Sequence, residues 1–367
     1  MSGREELEIE SHLKLHNKPP IRSIQVKSGQ IVDCIDINRQ PAFDHPLLKN
    51  HKIQRNPTFQ DRRERTKEDH QFIRAIDFEL EKVSCPVGSV PIRRTSKEDL
   101  IQMKYLSNHT QILSQGSRGL HDAALYSRKM NNDSYHGVNG FINIQNPRTK
   151  RHQTSIAQIG VQKGEDVGIN TISFGWQVAS DLYTRKTTNI FALWTSDSFK
   201  TTGCYNMLCR GFVQIDRNIY LGIRIEPTSS YGGKQYEISF SISQDPNTKN
   251  WWLIINDKHI GYYPATLFSN MSEADIVGWG GRVFGIVGGT SPQMGSGYFP
   301  DGDFSHSAFM RRISYYVSSG SLQEPQKNLL EIFVDNNNCY NLTYFGFLDN
   351  DNRHTFQFGG PGGQCEK

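Results

Sequence analysis

Tyr236-Glu237-Ile238-Ser239-Phe240-Ser241-Ile242-Ser243-Gln244 alternates apolar and polar side chains without a break. Successive side chains of a strand point to opposite faces, so this period of two predicts a strand with one buried face. Asp245-Pro246-Asn247-Thr248-Lys249-Asn250 follows, rich in the residues that favour turns, and Trp251-Trp252-Leu253-Ile254-Ile255 then reads as a return strand. Strand, turn and return strand predict an antiparallel sheet.

The same character extends outward from this pair. From Tyr135 to the C-terminus the chain consists of short apolar runs punctuated by Gly and Pro, with no βαβ rhythm and no internal repeat. Phe212 and Ile215, then Ile219, Leu221, Ile223 and Ile225, form two runs broken by Asp216-Arg217-Asn218, a hairpin signal. The fold class expected is all-β: an antiparallel sandwich of jelly-roll or concanavalin-like type, preceded by a small mixed N-terminal domain. In that domain Leu7, Ile9, Leu13 and Leu15 have helical spacing, Ile24 to Ile37 alternates like strands, and Thr95-Ser96-Lys97-Glu98 is a capping box opening a short helix. Gln115 to Asp133 is polar and rich in Gly, Ser and Asn, which reads as a linker. The expected division is residues 1–115, a linker at 116–133, and a sandwich at 134–367.

Composition narrows the function classes. The 41 basic residues nearly balance 37 acidic ones in 367, and the formal charge of +4 makes no case for nucleic acid. A mean hydropathy of -0.58 and the lack of a long apolar run argue against a membrane-spanning helix. Six cysteines fall into spaced pairs, Cys34 with Cys85, Cys204 with Cys209 and Cys339 with Cys365, which is the pairing expected. Sequons stand at Asn108, Asn132, Asn270 and Asn341. Together they fit an oxidising compartment. Met1-Ser2-Gly3-Arg4-Glu5-Glu6-Leu7 lacks an apolar leader core, so the expectation is a secreted monomer whose leader lies outside the chain. The Cys204–Cys209 spacing with no second Cys or His pair nearby gives no zinc site, and neither a metal nor a cofactor is expected.

Two Gly/Trp-rich motifs carry the chemistry: Asn170-Thr171-Ile172-Ser173-Phe174-Gly175-Trp176-Gln177-Val178 and Gly278-Trp279-Gly280-Gly281-Arg282-Val283. With Thr202-Gly203-Cys204-Tyr205-Asn206, Ser230-Tyr231-Gly232-Gly233, Gln293-Met294-Gly295-Ser296-Gly297 and Phe358-Gly359-Gly360-Pro361-Gly362, they resemble in order the landmarks of the neprosin family, plant-type glutamic endopeptidases that cleave after proline. Gln40-Pro41-Ala42-Phe43-Asp44-His45-Pro46 and the run from Cys85 to Arg94 resemble that family's activation peptide. The resemblance implies one catalytic glutamate in each Gly/Trp motif, and the matching positions here are Ser173 and Arg282. Such chemistry needs one carboxyl as general base and a second kept protonated. Serine without a partner is no base, and arginine neither takes nor gives a proton usefully.

The resemblance therefore implies a non-catalytic member that binds an extended proline-containing polypeptide, with Ser173 and Arg282 lining one cleft beside Trp176, Gln177, Trp279 and Tyr231. The alternative is an active post-proline endopeptidase using a displaced acid, for which Glu165, Asp166, Glu226 and Asp275 are candidates by proximity. Each of these reads first as a solvated loop charge, and the tryptophans read equally well as inter-sheet packing. A lectin-like glycan binder is a weaker alternative, resting on fold analogy.

Overall fold

The computed structural model describes residues 3–59, 73–74, 83–101, 119–128, 134–164, 168–183 and 186–365. The N-terminal part contains α1 (Gly3–His16), β1 (Arg22–Gln25), β2 (Ile31–Asp36), β3 (Ile73–Arg74) and β4 (Ser89–Arg93). The sandwich then runs through β5 (Leu120–Arg128), β6 (Gly137–Asn143), β7 (Thr154–Lys163), β8 (Asn170–Ala179), β9 (Thr188–Thr195), β10 (Cys204–Tyr205) and β11 (Val213–Gln214). It continues with β12 (Tyr236–Gln244), β13 (Trp251–Ile255), β14 (Lys258–Tyr263), β15 (Ile276–Phe284), β16 (Ala308–Tyr316) and β17 (Leu322–Gln323), and ends with β18 (Leu330–Val334), β19 (Asn341–Phe347) and β20 (His354–Gly359).

One sheet has the order β10-β9-β8-β7-β15-β5-β18. The other has the order β11-β14-β13-β12-β6-β16-β20-β19, with β17 on β16 and β3 on β12. Pairings within the sandwich are antiparallel, and the β3–β12 contact with the N-terminal part is parallel. The expected β12–β13 hairpin is present, with Phe240 opposite Ile255 and Gln244 opposite Trp251.

The sheets meet through one set of alternate residues. From the seven-stranded sheet come Ile172, Phe174, Trp176 and Val178 of β8, Ile159 and Val161 of β7, and Val277, Trp279 and Val283 of β15. Phe174 meets Phe240 edge-on at 5.0 Å. The Trp176 and Trp279 indole nitrogens donate to the carbonyls of Asn143 and Asn139 on β6, each at 2.9 Å. Buried indoles need such a partner, and these two tie one sheet's side chains to the other's backbone.

The N-terminal three-stranded sheet, order β1-β2-β4, shares this core through Val32, Cys34, Ile35 and Val90. It sits at the edge where β11 and β14 end the larger sheet. Gln40 and Gln214 exchange hydrogen bonds, Arg217 donates to the Cys85 carbonyl, and Thr58 and Gln54 donate to Asp245. His16 of α1 donates to the Met207 carbonyl at 2.7 Å.

Disulfides join Cys34 to Cys85, Cys204 to Cys209 and Cys339 to Cys365, as the spacing suggested. Of the sequons, Asn270 and Asn341 are exposed, and Asn108 and Asn132 lie outside the described residues.

Three expectations need correction. The stretch assigned as a linker contains β5, a strand inside the seven-stranded sheet between β15 and β18. Its inward residues Ala123 and Leu125 are buried, and the small Ala123-Ala124 pair hid the alternation. Residues 116–118 and 129–133 lie outside the described residues. Second, the runs around Asp216 do not form a hairpin. The Asp216 carboxylate accepts the N–H groups of Asn218 and Ile219 in a turn, and the following segment lies along β9, with Ile190 donating to Ile223 and Ile225 to Thr188. Ile219, Leu221, Ile223 and Ile225 are buried because they close that edge. Third, the helix cap is Ser96, whose hydroxyl accepts from the Asp99 N–H while Asp99 accepts from the Ser96 N–H, so the box is shifted by one residue.

Candidate active site

Alternation leaves the other set of side chains on the outer face of the seven-stranded sheet. These include Thr171 and Ser173 of β8, Gln158 and Gln162 of β7, Arg282 of β15, and Asp122 and Tyr126 of β5. They line a shallow depression open to solvent, with about 40 Å³ of space accessible to water. Ser173 and Arg282 thus border one depression. Ser173 pairs with Gly160, Gly160 pairs with Gly278, and Arg282 lies four residues further along β15. Two strand spacings across and four residues along separate their Cα atoms by about 16 Å on a flat sheet.

The floor is made of glycine. A Cβ at Gly160 would lie 3.3 Å from the Ser173 hydroxyl, and one at Gly278 would lie 2.6 Å from the Tyr126 ring. The Tyr126 ring therefore lies over Gly278 in space that a side chain there would need, and Gly160 leaves only tight room beside the Ser173 hydroxyl.

Arg282 is 2% exposed and grips Asp122, 7% exposed, with two parallel bonds: Nε to Oδ1 and Nη2 to Oδ2, both 2.7 Å. Burial opposes the guanidinium charge, but the Asp122 carboxylate and its two bonds outweigh that and raise the Arg282 pKa above its ordinary value. Asp122 is itself anchored, since its N–H donates to Asp335 Oδ1 at 2.7 Å, and Asp335 Oδ2 pairs with His121 at 2.6 Å. Burial, with Asp122 nearby, pushes the Tyr126 phenol up, so it remains protonated. No histidine or lysine lines the depression among the described residues. Among the described residues the wall therefore offers hydroxyls, amides and an ion pair.

Other expected cleft residues lie elsewhere. Trp176 is not part of the depression and Trp279 is among the residues lining it, but both indoles are turned to the inner face and bonded to β6, so neither forms a stacking wall. Gln177 is on the outer face but wholly buried, its amide donating to the Tyr183 hydroxyl at 3.0 Å beneath a small apolar cluster that includes Leu182 and Leu208. Tyr231 is exposed in a distant loop, stacked on His306 at 4.4 Å, and does not line the depression. Of the proposed substitute acids, Glu226 pairs with Arg224 in a separate polar pocket with Thr188 and Pro227. Asp275 pairs with Lys163 at 2.9 Å, and Glu165 and Asp166 lie outside the described residues. Sequence reasoning missed Asp122 and Tyr126. The signal was there in His121-Asp122-Ala123-Ala124-Leu125-Tyr126, a period of two that its Gly/Ser/Asn surroundings obscured. Among the described residues no group of three or more His, Cys, Asp or Glu could hold a metal ion.

Residues 151–361 match the Neprosin family, and residues 23–139 match the Neprosin activation peptide, a span that runs through β5 into β6. Among solved structures, the chain is similar to scytalido-glutamic peptidase with a peptide-based transition-state analogue (10% identity, 66% of this chain and 98% of that chain covered, TM-score 0.35). It is also similar to SCP-B, a member of the Eqolisin family of peptidases, in complex with the tripeptide Ala-Ile-His (10% identity, 66% and 98% covered, TM-score 0.33). A third similarity is to CG-16, a homodimeric agglutinin from chicken liver (10% identity, 44% and 92% covered, TM-score 0.24).

Proposed function

From the premise that the chain belongs to the neprosin family, we propose that it is a secreted, non-catalytic member whose outer-face depression binds an extended proline-containing polypeptide without cutting it. One observation carries this reading. Where the family resemblance calls for a glutamate, Arg282 is locked onto Asp122 in a buried bidentate pair. Arginine in that pair supplies no proton at any working pH, and both oxygens of the Asp122 carboxylate are engaged by the guanidinium. At the other position Ser173 stands beside Gly160, and among the described residues no histidine or lysine lines the depression to activate it as a nucleophile. The remaining hydroxyls and amides suit recognition of peptide carbonyls and N–H groups.

The test combines two measurements on the whole chain. Proline-containing peptides incubated with it between about pH 2 and 7, the range in which carboxyl pairs act, are expected to keep their intact mass. The same peptides are expected to give saturable heat in calorimetric titration. Fragments ending in proline would overturn the reading.

A second reading, an endopeptidase with a displaced acid, draws on one observation: Asp122 is a carboxylate in this depression. Cleavage by the unmodified chain that disappears in Asp122→Asn would establish it.

A further inference from the structure

We propose that Tyr126 is the specificity-determining residue of this depression, the aromatic platform against which a proline ring of the bound peptide lies. The proposal deepens the peptide-binding reading and rests on it.

Stacking on a five-membered ring requires an exposed aromatic face, an adjacent space free of side chains, and polar groups to hold the flanking backbone. The two tryptophans that frame the motifs fail the first requirement, because their indoles are buried against β6. Tyr126 is half-buried, on the outer face, and its ring lies over Gly278. Beside it Gly160 carries no side chain, which leaves a gap on the sheet between the Tyr126 ring, which covers Gly278, and the Ser173 hydroxyl.

The polar groups are at suitable intervals. Gln158 and Gln162 flank Gly160 on β7, four residues apart, so they lie about 13 Å from each other along the strand. A polyproline II segment rises about 3.1 Å per residue and covers that distance in about four residues. The Gln158 amide can thus engage a backbone group on one side of a ring seated between them, and Gln162, whose amide nitrogen already donates to the Gly164 carbonyl at 2.8 Å, offers its oxygen on the other. Thr171 lines the same depression, is 2% exposed, and its hydroxyl has no partner among the described residues. A buried hydroxyl without a partner is costly, and a peptide carbonyl would satisfy it. Proline suits such a slot because it brings an apolar ring without an N–H to leave unpaired, and aromatic-lined grooves recognise proline-rich segments in this way.

The experiment measures binding of a short blocked peptide with a central proline and of its proline-to-alanine counterpart. The parent protein should prefer the proline peptide. Tyr126→Ala should weaken that peptide by about ten-fold, the size of one lost hot-spot contact, and leave the alanine peptide nearly unchanged, so the preference collapses. Tyr126→Phe should retain it. Gly278→Ala, whose new methyl would collide with the ring, should lose the preference by displacing Tyr126 and serves if Tyr126→Ala fails to fold. Binding of neither peptide by the parent protein overturns the peptide-binding reading and this inference with it. Proline preference that persists in Tyr126→Ala overturns this inference alone. Tighter binding of a glucan oligosaccharide than of either peptide, lost in Tyr126→Ala, overturns the assignment of the ligand as polypeptide.

Discussion

The two faces of the seven-stranded sheet are built from the same strands, one residue apart, and they do different jobs. The inner face holds Phe174, Trp176, Trp279 and Val283, packed and tied to β6. The outer face holds Ser173, Gln158, Arg282 and Tyr126 around bare glycine. Function-bearing chemistry is therefore read from alternate letters of the motifs. The tryptophans, the most conspicuous residues of both, belong to the set that holds the sheets together. The difference predicts that substitutions one residue apart will separate stability from binding.

The largest effect is expected on the inner face. Trp279→Ala should lose about 3–5 kcal/mol in urea unfolding, since it removes a fully buried aromatic and orphans the Asn139 carbonyl. A loss under about 1 kcal/mol would break the division between the faces.

Next comes the outer-face ion pair. Arg282→Met leaves Asp122 buried without its partner and should cost about 3 kcal/mol. Adding Asp122→Leu should return most of that, because the pair's net worth is smaller than the penalty of a lone charge. The same pair bears on a test of the proposed non-catalytic reading. A glutamate at position 282 would face Asp122, and two carboxylates so close cannot easily both ionise. Ser173→Glu with Arg282→Glu should therefore give weak post-proline cleavage at acid pH, and adding Asp122→Asn should improve it, toward the 10²–10⁴-fold typical of general acid–base catalysis. Each single glutamate should give no activity, because the two carboxyls act as a unit. Equal cleavage with and without Asp122→Asn would show that this acid does not constrain the site.

Acid sensitivity should arise away from both faces. Burial lowers the His16 pKa to about 4, against the pull of the Met207 carbonyl and with Arg210 and His12 adding to the depression. A histidine depressed on folding is stable neutral, so its contribution is complete above pH 6.5 and is lost as pH falls toward 4. His12, His45 and His51 of the same N-terminal part are shifted the same way by burial. Acid should loosen the N-terminal part by about 2–3 kcal/mol from His16, and His16→Gln should flatten the stability profile between those pH values. An unchanged profile would place the titration elsewhere. The smallest effect is expected for Ser173→Ala, about 1 kcal/mol or less in stability, since it removes one buried hydroxyl and leaves the backbone pairing with Gly160 intact.

The sandwich was legible because Tyr236 to Ile255 alternates strictly around a strong turn, and because a strand buried on one side leaves that period in the sequence. The site was legible only in half. Ser173 and Arg282 stand in motifs with recognisable order, but their partners come from β5, whose inward Ala123 and Leu125 are separated by another small residue, Ala124, in polar surroundings. Gln177 was misplaced for another reason: period gives the face of a strand but not what covers it, and Tyr183 closes over that glutamine. Arg282's partner could not have been inferred from spacing, since 160 residues separate it from Asp122.

The position of β5 bounds how this protein could be trimmed. It is an internal slat of the sheet, flanked by β15 and β18, yet it follows directly from the N-terminal part in the chain. A protease cutting upstream of Gly119 would leave the sandwich whole. One cutting in 129–133 would leave the strand that carries Asp122 and Tyr126 on the N-terminal fragment, held by its pairing with β15 and β18, and loss of that fragment would expose two raw edges and strip the depression of one wall. The segment matching the activation peptide thus extends past the strand, and only a cut before Gly119 would separate the two without taking part of the sheet.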